Sequence, residues 1–255
     1  MLETLRTARG VMRSLGIYYG WHQRHRSRAM GKLYARFVKR GDLVFDVGAH
    51  VGDRVASFLR LGAKVVAVEP QPALASTISV LYEHGFAAYF PGGSVVVERK
   101  AVGRKTGEVE LMINTDNPTI STASNAFIHA ARDAPGWQGQ RWDKSIRVPM
   151  TTLDALIAEH GVPAFIKIDV EGFEEEVLMG LTQPVAALSF EFTTIQRDVA
   201  RACVDRCAAL GLTLFNAAIG ESQQLGDWRS VEGIGRWLYE LPHEANSGDV
   251  YALRP

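Results

Sequence analysis

Two acidic residues and two glycines lie where buried strands are predicted to end in this 255-residue chain. The predicted strand Leu43–Val47 contains Asp46 and runs into Gly48 and Gly52, and Glu69 follows the next predicted strand. Glycines after a buried strand let the backbone approach a ligand closely, and the following helix offers free N–H groups to negative charge. A carboxylate after the second strand accepts hydrogen bonds from ribose hydroxyls. These residues predict a nucleotide-type binding site.

The turn differs from the G-x-G-x-x-G turn that binds dinucleotides. His50 and Asp53 occupy the positions of its second and third glycines. A pyrophosphate has little room beside His50, so the pattern disfavours NAD. An NAD-type oxidoreductase on the same kind of sheet stays open as an alternative, and His50 is itself a candidate cofactor contact.

Short apolar runs alternate with longer helical stretches after Gly41, which predicts a parallel sheet covered by helices. The predicted strands are Leu43–Val47, Lys64–Val68, Ser94–Val97, Phe165–Asp169, Ala187–Phe192, Leu212–Asn216 and Asp249–Leu253. The predicted helices are Asp53–Leu61, Pro72–His84, Thr152–His160, Phe173–Met179 and Gln196–Leu210. A long loop rich in Gly and Trp is expected between the last two strands.

The segment 113–148 interrupts this alternation. It contains a run of mainly hydroxyl side chains at Thr119–Ser124 and the aromatic residues Trp137 and Trp142. Irregular segments of this length inside a compact domain usually form lids or inserted subelements. We therefore predict that the segment covers part of the site.

The first 40 residues are strongly basic. Ten Lys or Arg stand against the single Glu3, a net charge of +9, and the rest of the chain carries −9 because the whole chain is neutral. Apolar residues recur among the basic ones at helical spacing, at Met30, Leu33, Tyr34, Phe37 and Val38. The favoured interpretation is a basic helical segment, 1–41, that packs on an acidic domain, 42–255. A nucleic-acid-binding arm is the alternative.

Composition excludes several classes of protein. With 47% hydrophobic and 22% charged residues, the chain is typical of globular proteins and unlike disordered or collagenous ones. It contains no apolar run long enough to span a membrane and no apolar signal core at its start, so a cytoplasmic location is expected. Cys203 and Cys207 are predicted to be buried free thiols. The histidines lack ligand spacing, so no metal site is predicted.

Five motifs resemble those of the FkbM family of S-adenosylmethionine-dependent methyltransferases. The motifs are VFDVGAHVGD at Val44–Asp53, VVAVEPQP at Val65–Pro72, AVGRKTGEVEL at Ala101–Leu111, VPMTTLD at Val148–Asp154 and FIKIDVEGFEEEVL at Phe165–Leu178. The last motif is the most specific of the five. Their order and spacing extend the resemblance over residues 42–192.

The resemblance implies the α/β fold of class I methyltransferases, a Rossmann-like, doubly wound sheet of seven strands with the last strand antiparallel. It implies S-adenosyl-L-methionine as the methyl donor and a hydroxyl oxygen as the acceptor, often on a sugar or another natural product. The expected partner is therefore a small-molecule or glycan acceptor, and a nucleic-acid methylase is disfavoured. The expected donor contacts are Asp46, Gly48, His50, Gly52, Glu69, Ala101 and Val102.

A hydroxyl acceptor must lose a proton during methyl transfer, so a carboxylate or histidine should lie beside it. Asp169 and Glu171 are the predicted catalytic residues, because they follow a parallel strand at the edge where ligands bind in open α/β sheets. Lys167 shares a strand face with Asp169, and Glu191 ends the next strand at the same edge. Both are predicted acceptor contacts. Glu171 has an alternative structural role as a cap of the following helix.

The segment 113–148 supplies three further candidates. His129 is a third candidate base, next to the apolar residues Phe127 and Ile128. Trp137 and Trp142 are candidate acceptor contacts, because tryptophan faces stack on the apolar faces of sugars. Anchoring of the segment to the protein body is an equally good explanation for both tryptophans.

Overall fold

The computed structural model describes residues 2–19, 24–85 and 89–255. The strands are β1 (Leu43–Val47), β2 (Lys64–Val68), β3 (Ser94–Glu98), β4 (Ala101–Val102), β5 (Gly107–Ile113), β6 (Lys144–Thr151), β7 (Phe165–Ile168), β8 (Ala187–Thr193), β9 (Leu214–Ile219) and β10 (Ser247–Leu253). The helices are α1 (Leu2–Tyr19), α2 (Arg24–Tyr34), α3 (Asp53–Arg60), α4 (Pro72–Ile78), α5 (Asn125–Ala131), α6 (Leu153–His160), α7 (Glu174–Met179), α8 (Arg197–Ala209) and α9 (Val231–Glu240).

Seven strands form the main sheet in the order β3–β2–β1–β7–β8–β10–β9. Strands β1, β2, β3, β7 and β8 run parallel, and β10 is antiparallel to both of its neighbours. The chain order reverses between β1 and β7, which creates the crevice where ligands bind in open α/β sheets. The predicted seven-stranded sheet with an antiparallel last strand is confirmed.

Helices cover both faces of the sheet because successive strand residues point to opposite sides. Phe45 and Ile166 belong to the apolar cluster on one face, whereas the neighbouring Val44 and Phe165 belong to the cluster on the other face. Cys203 and Cys207 are free thiols buried in the first cluster, as the sequence predicts. None of the described helices combines the length and apolarity needed to cross a membrane.

The basic N-terminal segment packs on the sheet through its apolar residues. Met30, Leu33 and Tyr34 are buried, and the Phe37 ring stacks on Phe165 with centroids 5.2 Å apart. Burial of these side chains explains why apolar residues recur at helical spacing among basic ones. The segment boundary at residue 41 and the insert limits 113–148 stay proposals.

The structure differs from the sequence interpretation in three places. Strands β4, β5 and β6 form a separate three-stranded sheet in the order β4–β6–β5, so the predicted insert ends in a strand and not in a loop. Helix α9 occupies the predicted loop between the last two strands. Helix α4 ends earlier than predicted and continues as a π-helix over Ser79–Gly85. Exposed residues alternate irregularly along β5, and glycines interrupt α9, which explains why both were missed.

Candidate active site

The glycines of the turn after β1 make room for protein atoms. Gly48 has φ +84°, and a Cβ at this position would lie 1.8 Å from the carbonyl oxygen of Asp169. Gly52 has φ +81°, and its Cβ would lie 2.8 Å from the Tyr82 ring. The sequence interpretation assigned both glycines to ligand approach. In the structure both glycines also permit close packing, of the β1 turn on the β7 turn at Gly48 and of α3 on the π-helix at Gly52.

A cavity opens at the carboxyl ends of β1 and β2. We call it the donor cavity. Five of the expected donor contacts line it, namely Gly48, His50, Glu69, Ala101 and Val102. Gly52 is not on its wall, and Asp46 lies behind the wall within β1.

Glu69 is held at the floor of the donor cavity by two backbone groups. One carboxylate oxygen accepts a hydrogen bond from His50 N at 2.9 Å, and the other accepts one from Gln71 N at 2.8 Å. Burial raises the pKa of the Glu69 carboxyl to about 8, although these two hydrogen bonds act to lower it. Each oxygen keeps a second lone pair, so the carboxylate can still accept bonds from a pair of hydroxyls.

Two buried polar groups behind the turn lack partners in the described part of the chain. Nε2 of His50 is one, and burial lowers the pKa of this ring to about 4, so it is neutral. His50 also has φ +52°, a strained conformation that is typical of functional sites. The Asp46 carboxyl is the second group, because neither of its oxygens has a hydrogen-bond partner among the described residues. Burial raises the pKa of Asp46 to about 7.

A second cavity adjoins the first. We call it the acceptor chamber. Its wall consists of Tyr18, Gly48, His50, Asp53, Arg54, Thr119, Asp169, Glu171, Glu191 and Glu221. Gly48, His50, Thr119, Asp169 and Glu171 line both cavities. A group that projects from one cavity would therefore meet a molecule in the other beside these residues.

Asp169 is an ionised carboxylate at the junction of the two cavities. Lys167 Nζ lies 3.1 Å from its Oδ2, and Arg54 Nη2 lies 3.9 Å from the same atom. Burial acts to raise the pKa of Asp169, but the positive charges of Lys167 and Arg54 prevail and lower it to about 2. The geometry fits a hydrogen-bond acceptor that is charged at every physiological pH.

Lys167 does not contact an acceptor as predicted. Its side chain is fully buried, and Nζ joins Asp169 to Asp249 of β10 at 3.1 and 2.9 Å. A buried lysine is stable as a charged group only when it is paired in this way. Lys167 is therefore placed to orient Asp169 from beneath the chamber.

Glu171 and Glu191 complete a group of three carboxyls around the junction. Oxygens of Asp169, Glu171 and Glu191 lie within 4.8 Å of one another, close enough to hold a cation or to share a proton. Burial, followed by the neighbouring carboxylates, raises the pKa of Glu171 and of Glu191 well above the usual range. These two residues therefore favour the protonated form next to an ionised Asp169.

The turn after β7 is held in an unusual conformation by its neighbours. Glu171 has φ +56°, and its carbonyl accepts a hydrogen bond of 2.6 Å from the Thr122 hydroxyl. Glu174 accepts hydrogen bonds from the backbone N–H groups of Val170 and Gly172. Glu174 therefore holds the turn, α7 begins without a side-chain cap, and the Glu171 side chain stays on the chamber wall.

The three candidates from the segment 113–148 do not reach either cavity. His129 is exposed on α5. Trp137 is buried against Phe127 and donates a hydrogen bond to Asn246, and Trp142 donates one to the carbonyl of Ile120. The tryptophans form a small core of their own. The anchoring explanation is therefore correct for both, and the predicted base at His129 is wrong in position.

Several wall residues were missed by sequence reasoning. Tyr18 and Arg54 lie on helices read as structural, and Glu221 follows β9 in a predicted loop. Thr119 was noted only as part of a run of hydroxyl residues. Arg54 lies outside the five motifs, so only its position on the chamber wall identifies it.

Comparisons with known proteins agree with this geometry. The profile of the methyltransferase FkbM domain matches residues 46–224. The hexuronic acid methyltransferase AglP of Haloferax volcanii is 25% identical over 170 residues, which are 66% of this chain and 62% of the relative's length.

Solved structures resemble the chain at low sequence identity. The magnesium protoporphyrin IX methyltransferase of Synechocystis with bound S-adenosylmethionine has a TM-score of 0.47 and 11% identity, over 96% of this chain and 84% of that one. An O-methyltransferase of Bacillus cereus has a TM-score of 0.46 and 9% identity, over 96% and 90% of the two chains. The profile match covers most of the chain, which therefore belongs to the FkbM family of S-adenosylmethionine-dependent methyltransferases.

Proposed function

We propose that this protein transfers a methyl group from S-adenosylmethionine to a hydroxyl oxygen of a sugar or another natural product. The observation that carries the proposal is the junction of two cavities at Asp169 and Glu171. Donor and acceptor would each have a cavity, and the carboxyls would lie where the two molecules meet. Positioning of this kind contributes much of the rate of a two-substrate reaction.

The donor cavity fits S-adenosylmethionine. Glu69 has lone pairs available for the two ribose hydroxyls, and Ala101, Val102 and Leu111 offer an apolar wall for a base. Gly48 and His50 line the path to the acceptor chamber. When bound, the donor supplies an electrophilic methyl group on a positively charged sulfur.

Asp169 would accept a hydrogen bond from the acceptor hydroxyl and orient its oxygen. Glu171 and Glu191 favour the protonated form, so Asp169 is the carboxyl that can take the proton as the acceptor oxygen forms its bond to the methyl group. Oxygens of Glu171 and Glu191 lie within 4.8 Å of an oxygen of Asp169, and all three residues face the chamber. The three carboxyls would therefore act as one proton-accepting group.

The chamber favours an acceptor without a carboxylate. Five acidic residues lie on its wall, and its single arginine, Arg54, is already paired with Asp53 and Glu221. Placing another negative charge beside the ionised Asp169 is unfavourable. The relative AglP is named for hexuronic acid, so we expect the acceptor of this protein to differ from that of AglP.

A labelling experiment tests the proposed function. The protein is incubated with S-adenosylmethionine carrying a deuterated methyl group and with methyl glycosides of a neutral hexose and of a hexuronic acid. We expect mass spectrometry to detect the label on oxygen, with the neutral glycoside preferred. Label on nitrogen or carbon, or no transfer to these glycosides or to an extract of small molecules and glycans, would contradict the proposal.

The same preparation separates the alternatives. An oxidoreductase would bind NAD, and a nucleic-acid methylase would transfer label to RNA or DNA with an affinity that falls steeply with salt. The cytoplasmic location stays a prediction.

A further inference from the structure

One wall of the acceptor chamber comes from outside the segment that matches the family. Nine of the ten described residues on the wall lie within 46–224, and the tenth is Tyr18 of α1. The family domain alone would therefore leave this side of the chamber open. What α1 places there is a property of this chain.

The Tyr18 ring is fixed by two neighbours. His50 meets it edge-on, with centroids 5.3 Å apart and an interplanar angle of 74°. The Arg26 guanidinium lies 4.9 Å from the centroid of the ring. Arg26 is itself held by Asp53 at 2.7 Å and by Glu221 at 2.9 Å, so an ion network supports the ring. A ring held in this way loses little conformational freedom when a ligand binds.

Helix α1 is joined to the segment that carries Thr119 on the chamber wall. A Cβ at Gly10 would lie 2.7 Å from the carbonyl oxygen of Thr115, so glycine permits close packing of the helix. Arg6 forms ion pairs with Asp116 and Asp143, at 3.0 and 2.9 Å. These contacts show a helix built into the wall, and they use a basic side chain that a nucleic-acid arm would leave free.

The chemistry of Tyr18 suits a polyhydroxylated ring. Tyrosine offers an apolar face to the C–H groups of a sugar and a hydroxyl to its polar edge. Burial, followed by the charge of Asp53, raises the pKa of Tyr18, so its hydroxyl keeps its proton. Across the chamber, Asp169 and Glu191 offer oxygens that accept hydrogen bonds.

We propose that Tyr18 of the N-terminal helix binds the acceptor and helps to determine which acceptor is used. The inference rests on the proposed function, because it assigns the chamber to the acceptor. It also gives the basic N-terminal segment a role in recognition of a small molecule.

The test compares Tyr18→Ala and Tyr18→Phe with Met12→Ala, a change at a residue of the same helix that is 67% exposed. Methyl transfer to the preferred glycoside is measured against acceptor concentration, and donor affinity is measured by calorimetry. We expect Tyr18→Ala to raise the acceptor KM about tenfold or more, with donor affinity within twofold of the wild type. The acceptor KM of Tyr18→Phe should lie between those of the wild type and Tyr18→Ala. The acceptor KM of Met12→Ala should match that of the wild type.

A normal acceptor KM in folded Tyr18→Ala, shown by circular dichroism, overturns the inference. Should Tyr18→Ala not fold, a normal acceptor KM and acceptor preference in Tyr18→Phe overturns it instead. Failure of the proposed function looks different, because the wild-type protein itself would then transfer no methyl group to any glycoside oxygen. Equal losses of donor and acceptor affinity in Tyr18→Ala would assign Tyr18 a purely structural role and also contradict the inference.

Discussion

Asp169 and Glu191 both line the acceptor chamber, yet their neighbours give them opposite proton affinities. Lys167 and Arg54 keep Asp169 ionised, whereas burial and adjacent carboxylates favour the protonated form of Glu191. Such a separation of pKa values is common where one carboxyl acts as a base and its neighbour holds a proton. The sequence predicts Asp169 and Glu171 as the catalytic residues, with His129 as a third candidate base. The structure adds Lys167, whose pairing with Asp169 and Asp249 depends on register across β7, β8 and β10.

Glu69 provides a prediction about the donor at the same scale. Replacing Glu69 with Gln should weaken S-adenosylmethionine binding by about 1–3 kcal/mol, because the amide nitrogen of Gln cannot accept a hydrogen bond from a ribose hydroxyl. The matched control is Glu98→Gln, a change at the end of the neighbouring strand β3, where the acid pairs with Lys100 and His160. Isothermal titration calorimetry gives both affinities. Unchanged donor affinity in a folded Glu69→Gln protein would reject Glu69 as the ribose contact.

At the scale of elements, the turn between β1 and α3 depends on Gly48 for packing as well as for conformation. Gly41 has a similar φ of +87°, but no atom lies within 4 Å of the Cβ it would carry. Gly41→Ala should therefore cost about 1 kcal/mol of unfolding free energy, from left-handed backbone strain alone. Gly48→Ala should cost about 3 kcal/mol or more, because the Asp169 carbonyl must also move.

Chemical denaturation of the two glycine variants measures these costs. Equal losses in both would mean that the β1 and β7 turns do not pack as described. A folded Gly48→Ala protein should also transfer methyl groups more slowly, since the displaced backbone carries Asp169.

The elements of the main sheet were predictable because their patterns are local. Strands β1 and β2 have the predicted bounds, since each is a short, mainly apolar run. Asp42 and Gly48 flank β1, and β2 extends from Lys64 to the residue before Glu69. The site was predictable as far as its motifs extend, at Gly48, Glu69, Asp169 and Glu171. The position of Tyr18 was not predictable, because it depends on how α1 packs against α4 and the turn Pro118–Ile120. The two roles offered for Trp137 and Trp142 could not be separated from the sequence, because tryptophan suits both sugar binding and burial.

At the scale of the whole molecule, buried acids couple stability to pH. Burial raises the pKa of Asp46 and of Glu174 to about 7 and that of Glu69 to about 8. Between about pH 4.5 and pH 8 the folded protein therefore holds protons that the unfolded chain has released. The stability from these protons is complete below the unfolded pKa values and is lost as pH rises through 7 to 8. Asp53, Asp169 and Glu221 have lowered pKa values, so their contribution is lost only in acid.

We therefore expect the protein without donor to unfold at a higher temperature at pH 5.5 than at pH 8.5, by roughly 3–10 °C for a chain of this size. Differential scanning calorimetry at the two pH values measures the difference. The Asp46→Asn variant should show a smaller difference in Tm between the two pH values, because residue 46 then no longer titrates. A Tm that rises from pH 5.5 to pH 8.5 would show that the buried acids are not protonated in the folded protein.

The central claim is that the two cavities divide the work, with donor binding at Glu69 and acceptor activation at Asp169. The most direct test is single-turnover methyl transfer from the pre-formed donor complex of Asp169→Asn to the preferred glycoside. Asp205→Asn serves as the control, because the exposed Asp205 side chain pairs only with Arg201 of the same helix among the described ion pairs. We predict that Asp169→Asn binds S-adenosylmethionine with wild-type affinity and transfers the methyl group about 10²–10⁴-fold more slowly, the usual contribution of general base catalysis. Transfer at the wild-type rate by Asp169→Asn would contradict the account.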